Sequence, residues 1–107
     1  MKIINLPRGQ GKTTRLLYAS EFNDAPILCH THASKDYLMD RANDLKLDIP
    51  EPIVISDIVN NKLIGNKAMD KDLLVDEAPY VLQSLLHCLG MRGEVKAITL
   101  TEEDRRI

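Results

Sequence analysis

Short apolar runs alternate with longer segments of helical periodicity along this chain of 107 residues. A short run that is apolar at nearly every position is typical of a strand buried on both faces of a sheet. Strands that alternate with helices are joined by right-handed crossovers, which produce a mostly parallel sheet covered by helices. The pattern therefore predicts an α/β fold with about five strands, at residues 2–6, 26–30, 53–56, 72–76 and 94–100.

The helices are predicted from the spacing of apolar residues between these runs. Leu38, Ala42 and Leu45 recur at the spacing of one helix face, and we expect that helix to cover residues 33–46. Three other helices are expected over residues 13–22, over a short segment from residue 57, and along residues 81–89 before Gly90.

The composition limits the class of protein. The length fits a single domain over residues 1–107. A net charge of −2 argues against binding to nucleic acid through bulk electrostatics. No apolar run approaches the ~20 residues of a membrane span and no secretory signal is apparent, so we expect a cytoplasmic protein without membrane association. Cys29 and Cys88 lie in apolar runs and are expected to be buried free thiols.

The most specific motif lies between the first predicted strand and the first predicted helix. Gly11, Lys12 and Thr13 match the second half of the phosphate-binding motif G-x-x-x-x-G-K-[ST], whose first glycine is replaced here by Leu6. In such a loop, backbone N–H groups converge on phosphate at a helix N-terminus. Lys12 would reach the β- and γ-phosphates, and the Thr13 hydroxyl would hold Mg²⁺. The simpler interpretation is a glycine-rich turn before a helix. The predicted nucleotide-binding residues are Gly9, Gln10, Gly11, Lys12, Thr13 and Thr14.

A pair of carboxylates follows the fourth predicted strand. Asp76 ends the apolar run "LLVD", and Glu77 comes directly after it. In a nucleotide-hydrolysing site, Asp76 would bind the Mg²⁺ shell and Glu77 would orient or deprotonate the attacking water. An acidic pair also suits a helix N-terminus, but that explanation does not account for a phosphate loop upstream. The predicted catalytic residues are thus Lys12 and Glu77, and the predicted metal ligands are Thr13 and Asp76.

With both motifs placed, the chain resembles the P-loop NTPases that carry a catalytic glutamate. It is most similar to the first RecA-like domain of superfamily 1 and 2 helicases and of phage terminase ATPases. The resemblance runs loosely over most of the chain and is specific at "GQGKTT" and "LLVDEA". It implies a three-layer RecA-like fold, Mg²⁺ and ATP as cofactors, and a slow ATPase acting in phage or mobile-element DNA metabolism.

The resemblance also implies contacts to single-stranded DNA and to the γ-phosphate. The segment "ILCHTHASK" is similar to a DNA-contacting segment of these helicases, with Thr31 and Lys35 at the matching places, and "IVISDIV" offers Ser56 at another. Thr101 would be a γ-phosphate sensor after the last strand, which the resemblance places between the first and fourth strands. A glutamine follows there in superfamily 1, whereas this chain continues as "EEDRRI".

The helicases complete their nucleotide cleft with an arginine finger from a second RecA-like domain, which we expect this chain to lack. Such an arginine is worth about 10³–10⁵ in rate. We therefore expect slow turnover unless Arg105 and Arg106 act on a neighbouring subunit of a homo-oligomer; the simpler interpretation is that they are solvated terminal charges. The alternative function is a non-hydrolysing half-motor that regulates or inhibits a helicase or nuclease. A nucleoside kinase is a weaker third hypothesis, since no acceptor pocket or basic lid is apparent.

Overall fold

The computed structural model of the protein describes residues 11–60 and 70–100. Helices and strands alternate along these residues, which confirms the α/β class. The predicted strand at 2–6 lies outside the described residues. In chain order the elements are α1 (Lys12–Asn23), β1 (Ile27–Cys29), α2 (His32–Asp44), β2 (Ile53–Val54), α3 (Ile55–Val59), β3 (Leu74–Val75) and α4 (Ala78–Cys88).

The three strands of the described residues form one parallel sheet in the order β2-β1-β3. Leu28 in the middle strand is in register with Ile53 on one side and Val75 on the other. The N–H of Asp76 extends the second ladder by donating to the Leu28 carbonyl oxygen at 3.1 Å. The predicted parallel pairing is thus confirmed for three of the five expected strands.

Helices cover both faces of this sheet. Alternate residues of a strand point to opposite faces, and the buried residues separate into two clusters accordingly. The first cluster joins α1 and α2 to the sheet and contains Leu17, Ile27, Cys29, Leu38, Ala42, Ile49 and Val54. The second cluster joins α3 and α4 to the other face and contains Leu28, Ile53, Ile55 and Val81.

The capping residues fix where the first two helices begin. Gly11 precedes α1 with a φ of 79°, a left-handed conformation that glycine adopts without a steric penalty. The Thr31 hydroxyl accepts the N–H of Ser34 at 3.0 Å, so α2 begins at His32, one residue before the predicted start. The helix ends at Asp44, two residues earlier than predicted, and Lys46 then takes a positive φ of 58°.

The strands are shorter than predicted because helices begin soon after them. The predicted strand at 53–56 keeps its first two residues, and α3 takes the others from Ile55 onward. The strand predicted at 72–76 is likewise reduced to β3, and Val75 is 44% exposed rather than buried on both faces. β3 lies at the edge of the described sheet, where it has a strand on one side in the part of the chain that the structure describes.

The prediction of a fifth strand at 94–100 is wrong, because this segment forms no strand. Its backbone is held by a side chain of α4 instead. The Gln83 amide donates to the Gly93 carbonyl oxygen at 3.0 Å and accepts the N–H of Val95 at 2.5 Å. The cysteine prediction is wrong in part, since Cys29 is buried but Cys88, at the end of α4, is exposed. Among the described helices, none has the length and apolar character needed to cross a membrane.

Candidate functional site

A crevice is expected at the carboxyl ends of β1 and β3. The helix that follows β1 packs on one face of the sheet, whereas the helix that follows β3 packs on the other. Adjacent parallel strands whose connections diverge in this way leave a gap at their carboxyl ends, where ligands of α/β proteins bind. His30 stands one residue beyond β1, and Asp76 stands one residue beyond β3. The topology therefore points to this edge of the sheet independently of any sequence motif.

The structure brings the lysine of the predicted phosphate loop and the acidic pair together at this edge. Lys12, the first residue of α1, lies with its Nζ 3.6 Å from Glu77 Oε1. Both side chains are partly exposed, at 32% and 43%, so solvent screens the pair and its contribution to stability is small, about 0–1 kcal/mol. Its importance is geometric, because two residues that are 65 positions apart in sequence (12 and 77) share one site.

The first turn of α1 offers backbone donors beside Lys12. The N–H of Arg15 is the first to bond within the helix, to the Gly11 carbonyl oxygen at 3.0 Å. The N–H groups before it have no acceptor inside the helix, as at any helix N-terminus, and the helix dipole adds positive potential there. The side chains of Thr13 and Thr14 are half-buried at this end of α1. The local structure thus has the form that the second half of the motif predicts.

Glu77 has an unusual backbone conformation. Its φ of 54° and ψ of 59° lie in the left-handed region, and it caps the N-terminus of α4 without a side-chain hydrogen bond to that helix. A residue other than glycine adopts this conformation at a cost of roughly 1–2 kcal/mol. Strain of this kind persists where surrounding contacts hold it and is concentrated at functional sites. Here it turns the chain sharply from β3 into α4 at the residue that pairs with Lys12.

The ionised form of the Asp76 carboxyl is destabilised in the folded protein. Burial, and then the negative charge of Glu77, raises the pKa of the Asp76 carboxyl above its ordinary value of 3.8, while Lys12 and His30 oppose the shift. Because the pKa is higher in the folded than in the unfolded protein, the fold favours the protonated carboxyl. This preference contributes to the free energy of unfolding. The contribution is fully present below the pKa that Asp76 has in the unfolded protein, and it is lost as the pH rises through the pKa that Asp76 has in the folded protein.

We expect Asp76→Asn to stabilise the protein in the absence of Mg²⁺ and nucleotide. Asparagine removes the desolvated charge and its repulsion with Glu77, so the free energy of unfolding at pH 7 should rise by ~0.5–2 kcal/mol. The advantage over the unaltered protein should narrow as the pH falls toward about 4, because the Asp76 carboxyl is then increasingly protonated in the folded protein.

Urea unfolding between pH 4 and pH 8 measures this difference directly. Asp40→Asn, at an exposed position of α2, is the matched control and should show no such pH-dependent gain. A variant Asp76→Asn that is less stable than the unaltered protein at pH 7 would show that the ionised carboxylate is favourable in the fold.

The residues at this edge fit a magnesium ion that arrives with a nucleotide. Mg²⁺ typically takes one or two carboxylates, keeps several waters and completes its shell with substrate phosphates. The adjacent carboxylates of Asp76 and Glu77, with the pKa of the first raised partly by the second, form a locally negative environment that a divalent cation would relieve. Residues 11–60 and 70–100 contain no group of three or more His, Cys, Asp or Glu side chains arranged to hold a metal.

The sequence did not predict that His30 and Tyr80 belong to this edge. Their ring centroids lie 5.4 Å apart, and Tyr80 stands in the first turn of α4, three residues after Glu77. The sequence offers no direct signal for this contact, because His30 directly follows one strand whereas Tyr80 stands in the first turn of the helix after another. Cys29 precedes His30 in sequence, and burial and then the charge of Asp76 raise the pKa of its thiol to about 11, which disfavours the nucleophilic thiolate.

Two of the three residues expected to contact single-stranded DNA have other partners within the protein. Thr31 caps α2, and the Lys35 ammonium lies 2.5 Å from Glu51 Oε1. Ser56 is the second residue of α3 and is half-buried. The other predicted residues lie outside the described residues: Gly9, Gln10, Thr101, Arg105 and Arg106.

A functional assignment rests on the geometry at the carboxyl ends of β1 and β3, where Lys12 meets Glu77. The chain matches no model of a known protein family, no curated protein and no solved structure at a significant level.

Proposed function

We propose that this protein binds Mg²⁺ and ATP and hydrolyses the nucleotide slowly. The observation that carries the proposal is the approach of Lys12 Nζ to within 3.6 Å of Glu77 Oε1. It joins a lysine at a helix N-terminus to an acidic pair at the end of a parallel strand. These are the two halves that a phosphoryl-transfer site needs, a cation for the phosphates and a carboxylate for the attacking water.

Each residue has a distinct part in this proposal. Lys12 and the first amides of α1 bind the β- and γ-phosphates and stabilise charge that develops on them. Glu77 accepts a hydrogen bond from water and aligns it with the γ-phosphorus, or takes its proton. Asp76 and the Thr13 hydroxyl hold Mg²⁺, which neutralises phosphate charge when it is bound. The Lys12–Glu77 ion pair must open when phosphate arrives, because the ammonium exchanges one anion for another.

The wider assignment follows from the resemblance rather than from the geometry. A three-layer RecA-like fold agrees with the helices on both faces of the parallel sheet. A role in phage or mobile-element DNA metabolism, contact with single-stranded DNA, a cytoplasmic location and assembly into a homo-oligomer through Arg105 or Arg106 belong to the same proposal. None of these is needed for the nucleotide site itself.

A second candidate is a half-motor that binds a helicase or nuclease and regulates it without hydrolysis. The observation that favours it is the apolar surface of α4 and the segment after it, where Leu82, Leu89 and Met91 are 37%, 66% and 59% exposed. Exposed apolar side chains that lie together are typical of surfaces that contact other proteins. Under this proposal the nucleotide would be a bound ligand and not a substrate.

Binding and turnover can be measured separately on the unaltered protein. Titration with ATP and with a non-hydrolysable analogue should give saturable binding in Mg²⁺ that weakens when the metal is chelated. Phosphate release should be slow per subunit, and a rate that rises with protein concentration would indicate an arginine supplied between subunits. Binding without any release of phosphate favours the regulatory candidate, and absence of binding contradicts both proposals.

A further inference from the structure

The imidazole of His30 packs against α4, and this contact has no part in the function proposed above. His30 directly follows β1, and its ring centroid lies 5.4 Å from that of Tyr80, with the two ring planes at 31°. This separation is within the range at which aromatic rings attract each other. The contact therefore ties the end of the middle strand to the first turn of α4.

His30 is held from its other side by α2. Its Nδ1 lies 3.4 Å from the Ser34 hydroxyl oxygen, in the first turn of α2. Ser34 is fixed in turn by Thr31, whose Oγ1 accepts the Ser34 N–H at 3.0 Å and lies 3.0 Å from the Ser34 hydroxyl. The ring of His30 thus bridges two helices that cover opposite faces of the sheet.

Among the described residues, the first turn of α4 has one buried anchor besides this ring contact. Val81 is the single buried residue of that helix, and Tyr80 beside it is 53% exposed. The N–H groups of Tyr80 and Val81 both donate to the Glu77 carbonyl oxygen, at 2.9 and 3.1 Å. Any rotation of this turn is therefore transmitted directly to the backbone of Glu77.

We propose that His30 is a positioning residue for Glu77. It braces Tyr80, and through the first turn of α4 it keeps Glu77 in the left-handed conformation from which its carboxylate reaches Lys12. A conformation at a φ of 54° is unfavourable for glutamate and needs such support from its surroundings. The inference rests on the proposed function, because it gives His30 a role toward the glutamate of that site.

Amide hydrogen exchange tests whether His30 supports the first turn of α4, and this measurement does not depend on catalysis. In His30→Ala the amides of Tyr80 and Val81 should exchange ~2–10-fold faster than in the unaltered protein, as a lost ring contact eases local opening. His30→Phe keeps a ring and should restore slow exchange. Tyr37→Ala is the matched control, since Tyr37 is an exposed tyrosine of α2, at 58%, and its loss should leave both amides unchanged.

Steady-state kinetics tests the consequence for the site. His30→Ala should lower kcat by ~10–100-fold, because a small misplacement of a catalytic group has an effect of this size. The dissociation constant for ATP should change by less than ~3-fold, since phosphate is bound by Lys12 and α1. Tyr80→Ala should reproduce the loss, and the double variant should be no slower than His30→Ala alone.

The outcomes separate this inference from the proposed function. Unchanged exchange and unchanged kcat in a folded His30→Ala would overturn the inference and leave the hydrolysis proposal intact. Faster exchange in a protein that never hydrolyses ATP would support the brace and contradict hydrolysis. If His30→Ala does not fold, Tyr80→Ala decides the same question, because its half-exposed ring can be removed without opening the core.

Discussion

Replacing Glu77 by glutamine is expected to reduce the rate of ATP hydrolysis by ~100-fold or more while nucleotide binding is kept. A carboxylate that aligns or deprotonates the attacking water typically contributes ~10²–10⁴-fold to the rate. Glutamine has a similar shape but cannot take a proton, and it holds the water with a neutral oxygen. Phosphate release under saturating ATP and Mg²⁺ measures the loss.

The same substitution should bind ATP as tightly as the unaltered protein or up to about 5-fold more tightly. The Lys12–Glu77 contact of 3.6 Å is lost, so Lys12 no longer has to leave a carboxylate before it meets phosphate. A partly exposed ion pair of this kind contributes about 0–1 kcal/mol, and this energy limits the gain in ATP affinity to about 5-fold. Glu51→Gln, which removes a glutamate paired with Lys35, is the control and should alter neither property. A turnover rate that is equal in Glu77→Gln and in the unaltered protein would remove Glu77 from the mechanism.

Replacing Lys12 by glutamine is expected to weaken ATP binding by ~10–100-fold. A hydrogen bond between an ammonium and a charged phosphate oxygen contributes about 1.5–3 kcal/mol, and glutamine keeps the length of the side chain without the charge. Turnover should fall further, because the charge that develops on the γ-phosphate loses the same partner. Titration with a non-hydrolysable analogue separates the loss of binding from the loss of rate.

Lys71→Gln is a closely matched control for this experiment. Lys71 is 33% exposed against 32% for Lys12, and its ammonium also pairs with a carboxylate, that of Asp24 at 2.9 Å. Its removal should leave ATP binding unchanged, which shows that the effect of Lys12→Gln is local. If ATP binding is weakened equally in the two variants, it depends on the total charge of the protein, and Lys12 is not part of a specific binding site.

The features of the site that can be predicted from the sequence are those that depend on neighbouring residues in the chain. A glycine before a lysine and two threonines indicates a left-handed residue followed by a helix, and Gly11 has this conformation with α1 beginning at Lys12. An acidic residue at the end of an apolar run indicates a strand end, and Asp76 directly follows β3. Parallel strands bring such ends to one edge, and the approach of Lys12 to Glu77 agrees with the predicted pattern.

The features that the sequence does not predict depend on contacts between residues far apart in the chain. The backbone conformation of Glu77 could not be predicted, because glutamate has no preference for a positive φ and takes it only where the fold requires it. The alternating residues of 94–100 resemble a strand, but a strand also needs a paired neighbour, and Gln83 binds that backbone instead. The contact of His30 with Tyr80 spans fifty positions of sequence and has no local signal.

The two faces of the described sheet are unequally buried, and this difference gives the expected crevice a more rigid and a more adjustable wall. Within residues 11–60 and 70–100, the cluster beneath α1 and α2 contains seven buried residues, whereas the cluster beneath α3 and α4 contains four. Local opening requires less free energy where fewer apolar groups are buried. The wall that carries Lys12 therefore belongs to the stiffer layer, and the wall that carries Glu77 belongs to the layer that can shift when a ligand enters. In such a protein the phosphate would be held by a constant surface, and the carboxylate would depend on the contact of His30 with Tyr80 to keep its place.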